Sequence, residues 1–479
     1  MLSVEKQSLI QDSKLVAVLE NLSPLERRHL YQFTISPYFN SDERLTKLLT
    51  VLTKAIDNGN TYPNKAVLYS SIYPGRYDDV KMRRAISDLL KLTEDFLAYE
   101  KYQADHACRL SDTLHQINTR GLTRHFEVNY SLAKTVQSRS GSKDASHYYN
   151  EFLLEAELNQ YIELRKERTQ EKNISNVLFS LNAFYCITTL RYACAVEHYR
   201  NVLHLEQEID MIGAVLALSL KDNFAAIAPI AVYRHTYYML REQDGESHYR
   251  HLRDLLNSTT DMPLATERDA YVFSINFCVK QINRGKLDYL REVFDLYNIA
   301  LKKDILFDKN ELSPWDYKNL VTLGLRLKEQ TWTEKFIKDY KEKLPKANRS
   351  NAYTFNLAKF NFYIRRYDDV LKLLQRVEYD DVFYLLDSKT LLIKTYYEMD
   401  EYTALHSLIS SFRALLRRKR TISDSHRKNY INLLNFINEI SRIDIRDKKA
   451  LEELKKDFEK TTQIADAGWL REKFEELGV

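Results

Sequence analysis

Apolar positions along the chain recur at three- and four-residue spacings, and no stretch sustains the period-two alternation of a half-buried strand. Leu45, Leu48, Leu49 and Leu52 share one face of a helix predicted from about Ser41 to Gly59. Ser23-Pro24-Leu25-Glu26 marks an earlier start: Ser caps, Pro suits the first turn, and Glu completes a capping box. That helix ends near Ser36-Pro37, because a residue before Pro avoids the helical region. A short helix is predicted from about Asn64 to Ile72, where Tyr73-Pro74-Gly75 stops it, and Asp78-Asp79 open a longer one through Met82, Ile86, Leu89 and Leu92. Long helices are expected over 110–205. From 207 onward shorter ones are expected, separated near Gly245, Gly285 and Pro314. No strands are predicted.

The last third carries a period. Trp332, Tyr367 and Tyr402 each stand at a turn that opens a helix, at intervals of 35 residues, with an earlier turn at Gly285-Lys286-Leu287-Asp288. Leu357-Ala358, Tyr367, Val370, Leu374 and Val377 form one unit, and Leu392, Tyr396, Tyr402, Leu405, Ile409 and Phe412 the next. In length and placement these units resemble the tetratricopeptide repeat, a helix pair that buries its apolar face only by stacking on a neighbour. Val370 and Leu405 replace the usual Ala, and the closing Pro is absent. The repeat's clamp for a C-terminal carboxylate needs Lys and Asn at places held here by Phe355 and Lys359, so the resemblance does not extend to that clamp. Ser36-Pro37-Tyr38-Phe39-Asn40, Arg84-Ala85-Ile86-Ser87-Asp88-Leu89 and Trp469-Leu470 further resemble a family of tetratricopeptide-like helical proteins of Bacteroidota. That resemblance implies the fold and no particular chemistry.

Composition agrees with an all-helical chain. Only 10 Gly and 8 Pro occur among 479 residues, about a third of the usual roughly 12%. Folds that turn on Gly, such as doubly wound nucleotide binders and β-sandwiches, are disfavoured. Lys plus Arg is 71 and Asp plus Glu is 67, a balance that points to neither nucleic acid nor membrane. The apolar region from Met211 to Tyr233 is broken by Lys221, Asp222 and Asn223, which leaves two runs too short to span a bilayer. Four cysteines, with no C-x-x-C, and a charged first stretch suggest a cytoplasmic protein. The predicted organisation is an N-terminal helical domain (1–137), a long-helix middle region (144–262) and a tetratricopeptide-like superhelix (263–479). The polar stretch Ser138–Lys143 is the first boundary.

The chemistry is mostly exclusion. No two glycines lie close enough for a phosphate-cradling loop. Glu197, His198, His204 and Glu206 share a segment, and His248 and His251 stand one turn apart. The H-E-x-x-H pattern is nevertheless absent, and its inverted form would need His where Cys194 stands. The repeated Tyr-Asp-Asp-Val motifs at 77, 367 and 379 open helices, where Asp is favoured as a cap. No nucleophile elbow occurs. We therefore expect no catalytic residues, no metal and no cofactor.

Two surfaces remain as candidates. Arg413, Arg417, Arg418 and Arg420, with Lys394 and Tyr397, suit an acidic peptide or another protein partner in the groove of a helical-repeat superhelix. This makes a non-enzymatic scaffold the leading expectation. The alternative is a DNA-binding regulator. Ala66–Phe96 resembles the two helices of a winged helix-turn-helix found before repeats in some bacterial activators, which implies DNA contacts from Arg83, Arg84 and Lys91 within 64–105. The acids Glu94, Asp95 and Glu100 and the absence of a Gly-containing wing stand against it.

Overall fold

The computed structural model describes residues 10–139, 141, 143–165, 173–203, 207–375, 382–419 and 421–479. His204, Glu206, Val377, Asp380, Asp381 and Arg420 lie outside the described residues. The chain divides into two compact units, Met1–Thr189 with Gly213–Ile227 and Leu190–Ile212 with Ala228–Val479. The 138–143 stretch falls within the residue range of the first unit, with Ser138 and Arg139 closing one of its helices.

The first unit begins with α1 (Lys14–Asn21), α2 (Pro24–Ile35), α3 (Glu43–Asp57), α4 (Lys65–Ile72) and α5 (Asp79–Ala104). Their starts follow the local chemistry. The Ser23 side chain accepts from the Glu26 amide at 3.2 Å while Glu26 accepts from the Ser23 amide at 2.7 Å, a complete capping box. Asp42, Asn64 and Asp78 cap α3, α4 and α5. Leu19, Leu48, Leu52, Met82, Leu89 and Phe96 meet in one core. Next come α6 (His106–Thr119), α7 (Thr123–Arg139) and α8 (Ala145–Arg165), which close a smaller core around Leu114, Phe126 and Leu154. The unit is completed by the first part of α9 (Ile174–Leu203), by α10 (Ile212–Ser219) and by α11 (Asp222–Ala225). No described helix is long and apolar enough to cross a membrane.

The second unit is a run of helix pairs: α12 (Ala228–Arg241) with α13 (Glu246–Ser258), α14 (Leu264–Asn283) with α15 (Tyr289–Lys302), and α16 (Pro314–Arg326) with α17 (Gln330–Asp339). Then follow α18 (Arg349–Tyr363) with α19 (Tyr367–Leu374), α20 (Val382–Glu398) with α21 (Tyr402–Arg418), and α22 (Asp424–Ile440), α23 (Lys448–Lys460) and α24 (Ala467–Glu476). Some first helices of successive pairs touch, α12 on α14, α16 on α18 and α18 on α20, whereas α16 meets the preceding pair mainly through α15. The second helices α15, α17 and α19 make no comparable contact with one another. The α16–α17 approach depends on Gly324, where a Cβ would run into the Thr333 hydroxyl and the Trp332 ring.

The turn inside the four pairs from α14–α15 to α20–α21 repeats in backbone rather than in sequence. Gly285, Lys328, Arg365 and Asp400 all take the left-handed conformation two residues past the first helix. After each, an amide reaches back five residues: Lys286 to Gln281 at 3.1 Å, Glu329 to Gly324 at 2.8 Å, Arg366 to Asn361 and Glu401 to Tyr396 at 2.9 Å. This is the Schellman closure, which satisfies the last carbonyls of the helix. It corrects the aromatic register. Tyr367 and Tyr402 follow their left-handed residue by two positions, whereas Trp332 follows Lys328 by four, so Leu287 and Gln330 are the true counterparts. A left-handed non-glycine costs about 1–2 kcal/mol. Arg365→Gly is accordingly expected to stabilise the chain by about 0.5–1 kcal/mol, net of the extra freedom glycine has when unfolded. A lower urea midpoint in that variant would assign the exposed Arg365 side chain a structural part.

One prediction failed. A short antiparallel hairpin joins β1 (Phe307–Asp308) to β2 (Glu311–Leu312) between α15 and α16. Lys309 and Asn310 both have positive φ, the tight turn that suits strand twist. Arg268 holds the loop by donating to the carbonyls of Ile305, at 3.0 Å, and Phe307. Two-residue strands carry too little pattern to be read from a sequence.

Candidate functional site, a cationic groove on the first helices of the second unit

Three first helices present equivalent positions six residues before the left-handed residue of their turn: Thr322 on α16, Lys359 on α18 and Lys394 on α20. Side-by-side packing of α16, α18 and α20 sets these side chains in a row. Lys359 Nζ donates to Thr322 Oγ1 at 2.7 Å. Among the described residues no ion pair links Lys359 to a carboxylate. Burial pushes its ammonium down to about 8. Asp387 and Asp466 pull it up, and Lys318 and Lys394 push it lower.

Lys318, one turn before Thr322 on α16, pairs with Asp387 of α20. Its ammonium lies 5.1 Å from the Trp315 ring centre and 5.7 Å from that of Tyr384. The Tyr430 hydroxyl of α22 donates to the other oxygen of Asp387 at 3.2 Å. Lys394 pairs with Asp466 at 2.6 Å and lies over the rings of Phe362 (4.9 Å) and Trp469 (5.4 Å). Asp466 stands just before α24 with a left-handed φ of 51°. Its side chain keeps 42% of its exposure. Desolvation raises its carboxyl, but Lys394, Lys359 and Arg326 together hold it below the usual range. It is therefore crowded by neighbouring atoms yet still open to water. Four cations, Lys318, Arg326, Lys359 and Lys394, therefore surround two carboxylates. The excess positive charge lies beside aromatic faces and an unpaired ammonium, a setting that favours an anion.

The residues singled out from sequence fall in three places. Lys394 is in the groove. Tyr397, on the same helix, is half-buried, its ring 5.4 Å from that of Trp469. The basic cluster at the end of α21 is partly structural. Arg413 donates to Asn435 of α22 at 2.7 Å, and Arg427 donates to the carbonyls of Leu416, Lys419 and Ile422, closing the helix end. Arg417 and Arg418 are exposed in the last turn of α21. On α5, Arg83 pairs with Asp79, Arg84 lies 3.9 Å from Asp88, and Lys91 is exposed. Met82, which a groove-facing helix would expose, is fully buried. The helix runs on to Ala104, where Asp105 caps α6, so no wing follows.

Lys318, Lys359 and Asp466 escaped the sequence reading because the groove joins residues up to about 150 positions apart. The 35-residue interval between Tyr367 and Tyr402 does align Lys359 with Lys394, each eight residues before its tyrosine, but Lys318 and Asp466 fall outside that register.

The histidines lie elsewhere. His235 Nδ1 is 3.0 Å from His248 Nδ1, and its ring stacks on that of His251 with centres 5.0 Å apart. Burial, then the charges of Arg234, His248 and His251, depress His235 to about 4, so it packs as neutral imidazole near pH 7. Among the described residues no group of three or more His, Cys, Asp or Glu is placed to hold a metal ion. The thiols of Cys194 and Cys278 are buried and pushed up by desolvation, away from reactivity.

No family model matches the chain, and neither a curated protein nor a solved structure is significantly similar to it.

Proposed function

We propose that the chain is a non-enzymatic scaffold that holds an acidic peptide segment in the groove of a tetratricopeptide-like superhelix. The carrying observation is Lys359, a half-buried ammonium with a hydroxyl partner and, among the described residues, no carboxylate in ion-pair range, near Lys318 and Lys394. Helix packing supports the superhelix. The first helices α16, α18 and α20 pack side by side while α17 and α19 make no comparable contact, which is the packing expected if the array curves with these first helices inward. Side chains six positions before each turn then face the groove in register. An extended acidic segment matches that row: its carboxylates meet ammonium groups and its apolar parts meet Trp315, Phe362 and Tyr384.

The test is fluorescence anisotropy with labelled decapeptides, one rich in Asp and Glu and one with the matching amides. The acidic peptide alone is expected to bind. Because Lys359 loses its proton near pH 8, affinity is expected to fall as pH rises from 7 to 9. Lys359→Arg should remove most of that fall. The same shift has a stability counterpart. Between about pH 8 and the ordinary lysine value the unfolded chain holds the proton and the folded chain does not, so stability rises with pH there. Equal binding of both peptides would overturn the reading. Loss of binding on Arg417→Glu with Arg418→Glu, but not on changes at Lys359, would move the site to the end of α21.

A further inference from the structure

Helix α9 is apolar on two opposite sides. One side is core: Ala183, Cys186, Ile187, Leu190, Ala193 and Cys194 are buried. On the other, Ile174, Leu178, Leu181, Tyr185, Tyr192 and Tyr199 are exposed, Tyr192 by 66% and Leu178 by 52%. With the half-buried Thr188 and Ala195, these positions run 174, 178, 181, 185, 188, 192, 195, 199. The steps alternate four and three without a break, the heptad seam of a helix that packs along a partner helix. The stripe is about 37 Å long at 1.5 Å per residue. A helix that is apolar all round is ordinarily buried, so the outer stripe calls for a cover.

We propose that a second copy of this chain covers it, through antiparallel pairing of α9 with α9. The seam is self-complementary in that orientation. Ile174 then lies opposite Tyr199 of the second copy, Leu181 opposite Tyr192, Thr188 opposite Tyr185, and Ala195 opposite Leu178. All eight positions are matched by one two-fold axis between residues 186 and 187, as a closed symmetric interface requires. Each tyrosine meets a small or aliphatic side chain, whereas a parallel pair would set three tyrosines against three tyrosines. The flanking Asn182, Thr189 and Val196 carry no charge, and Arg191 is neutralised by Asp269 at 2.9 Å, so no like charges oppose the approach. The exposed parts of the six large side chains supply on the order of 600 Å² per copy, most of the ~800 Å² that each partner gives to a standard interface.

Sedimentation of the full chain at about 10–100 µM tests this. Twice the chain mass is expected for the native protein. The chain mass is expected for Leu181→Glu with Tyr192→Glu, both exposed positions, and an unchanged circular dichroism spectrum would show that the fold is kept. Orientation is read separately, in a Cys108→Ser background. Leu181→Cys and Tyr192→Cys chains should form a disulfide-linked dimer when mixed and oxidised, and neither should alone. A monomer at 100 µM, a dimer indifferent to the glutamates, or cross-linking of Leu181→Cys with itself would each overturn the proposal.

Discussion

Lys359→Gln together with Lys394→Gln is expected to abolish capture of the acidic decapeptide. A hydrogen bond to a charged group contributes about 1.5–3 kcal/mol, so each change should weaken binding by about tenfold or more. The two side chains stand at equivalent places on adjacent helices, Lys359 on Thr322 and Lys394 on Asp466, so neither replaces the other. Lys394→Gln leaves Asp466 without its nearest cation, which weakens the anchoring of the turn before α24. Lys359→Gln breaks no ion pair among the described residues, and its effect on binding is free of that complication. Anisotropy titrations of both single variants and the double variant, beside thermal melts, separate these contributions. Native affinity in the double variant would remove the groove as the binding site.

The second large effect is on stability. Gly324→Ala is expected to cost about 1–3 kcal/mol, because the new methyl meets the buried Thr333 and the Trp332 ring where α16 and α17 come closest. In a unit of this size that lowers the melting temperature by several degrees, at about 2–4 °C per kcal/mol. Thr333 is held by its hydroxyl, which donates to the Glu329 carbonyl at 2.8 Å, so it cannot turn away freely. Thr333→Ala removes the obstacle and also that bond. The double variant should therefore be less destabilised than the two single changes added, and simple additivity would show that the clash lies elsewhere.

What could be read from the sequence divides by range. The starts of α2, α4 and α5 were legible because Ser23, Asn64 and Asp78 act within three residues of themselves. The helical pairing was legible because apolar spacing is local. The pair turns were legible only through their aromatics, which misaligned Trp332, since the backbone feature they share is carried by Lys328, Arg365 and Asp400 rather than by glycine. Of the groove, Lys394 alone was singled out. Lys359 was noticed only as a mismatch to the carboxylate clamp, and Asp466 not at all, because its role depends on a chain reversal that follows α23. On Arg413 the sequence showed charge where the structure shows a bond between neighbouring helices.

On the proposed reading, Asp466 also bears on which acidic segments the site would hold. Its carboxylate already occupies Lys394, held there by the same chain. An incoming acid must displace a tethered rival whose effective concentration is in the millimolar range or above. A lone carboxylate arriving from solution competes poorly against it. A segment that carries several acids engages Lys359 first and then exchanges with Asp466, and release of the left-handed backbone at that residue helps the exchange. If the proposed reading holds, the resident acid would act as a valency filter, rejecting single charges and admitting clustered ones.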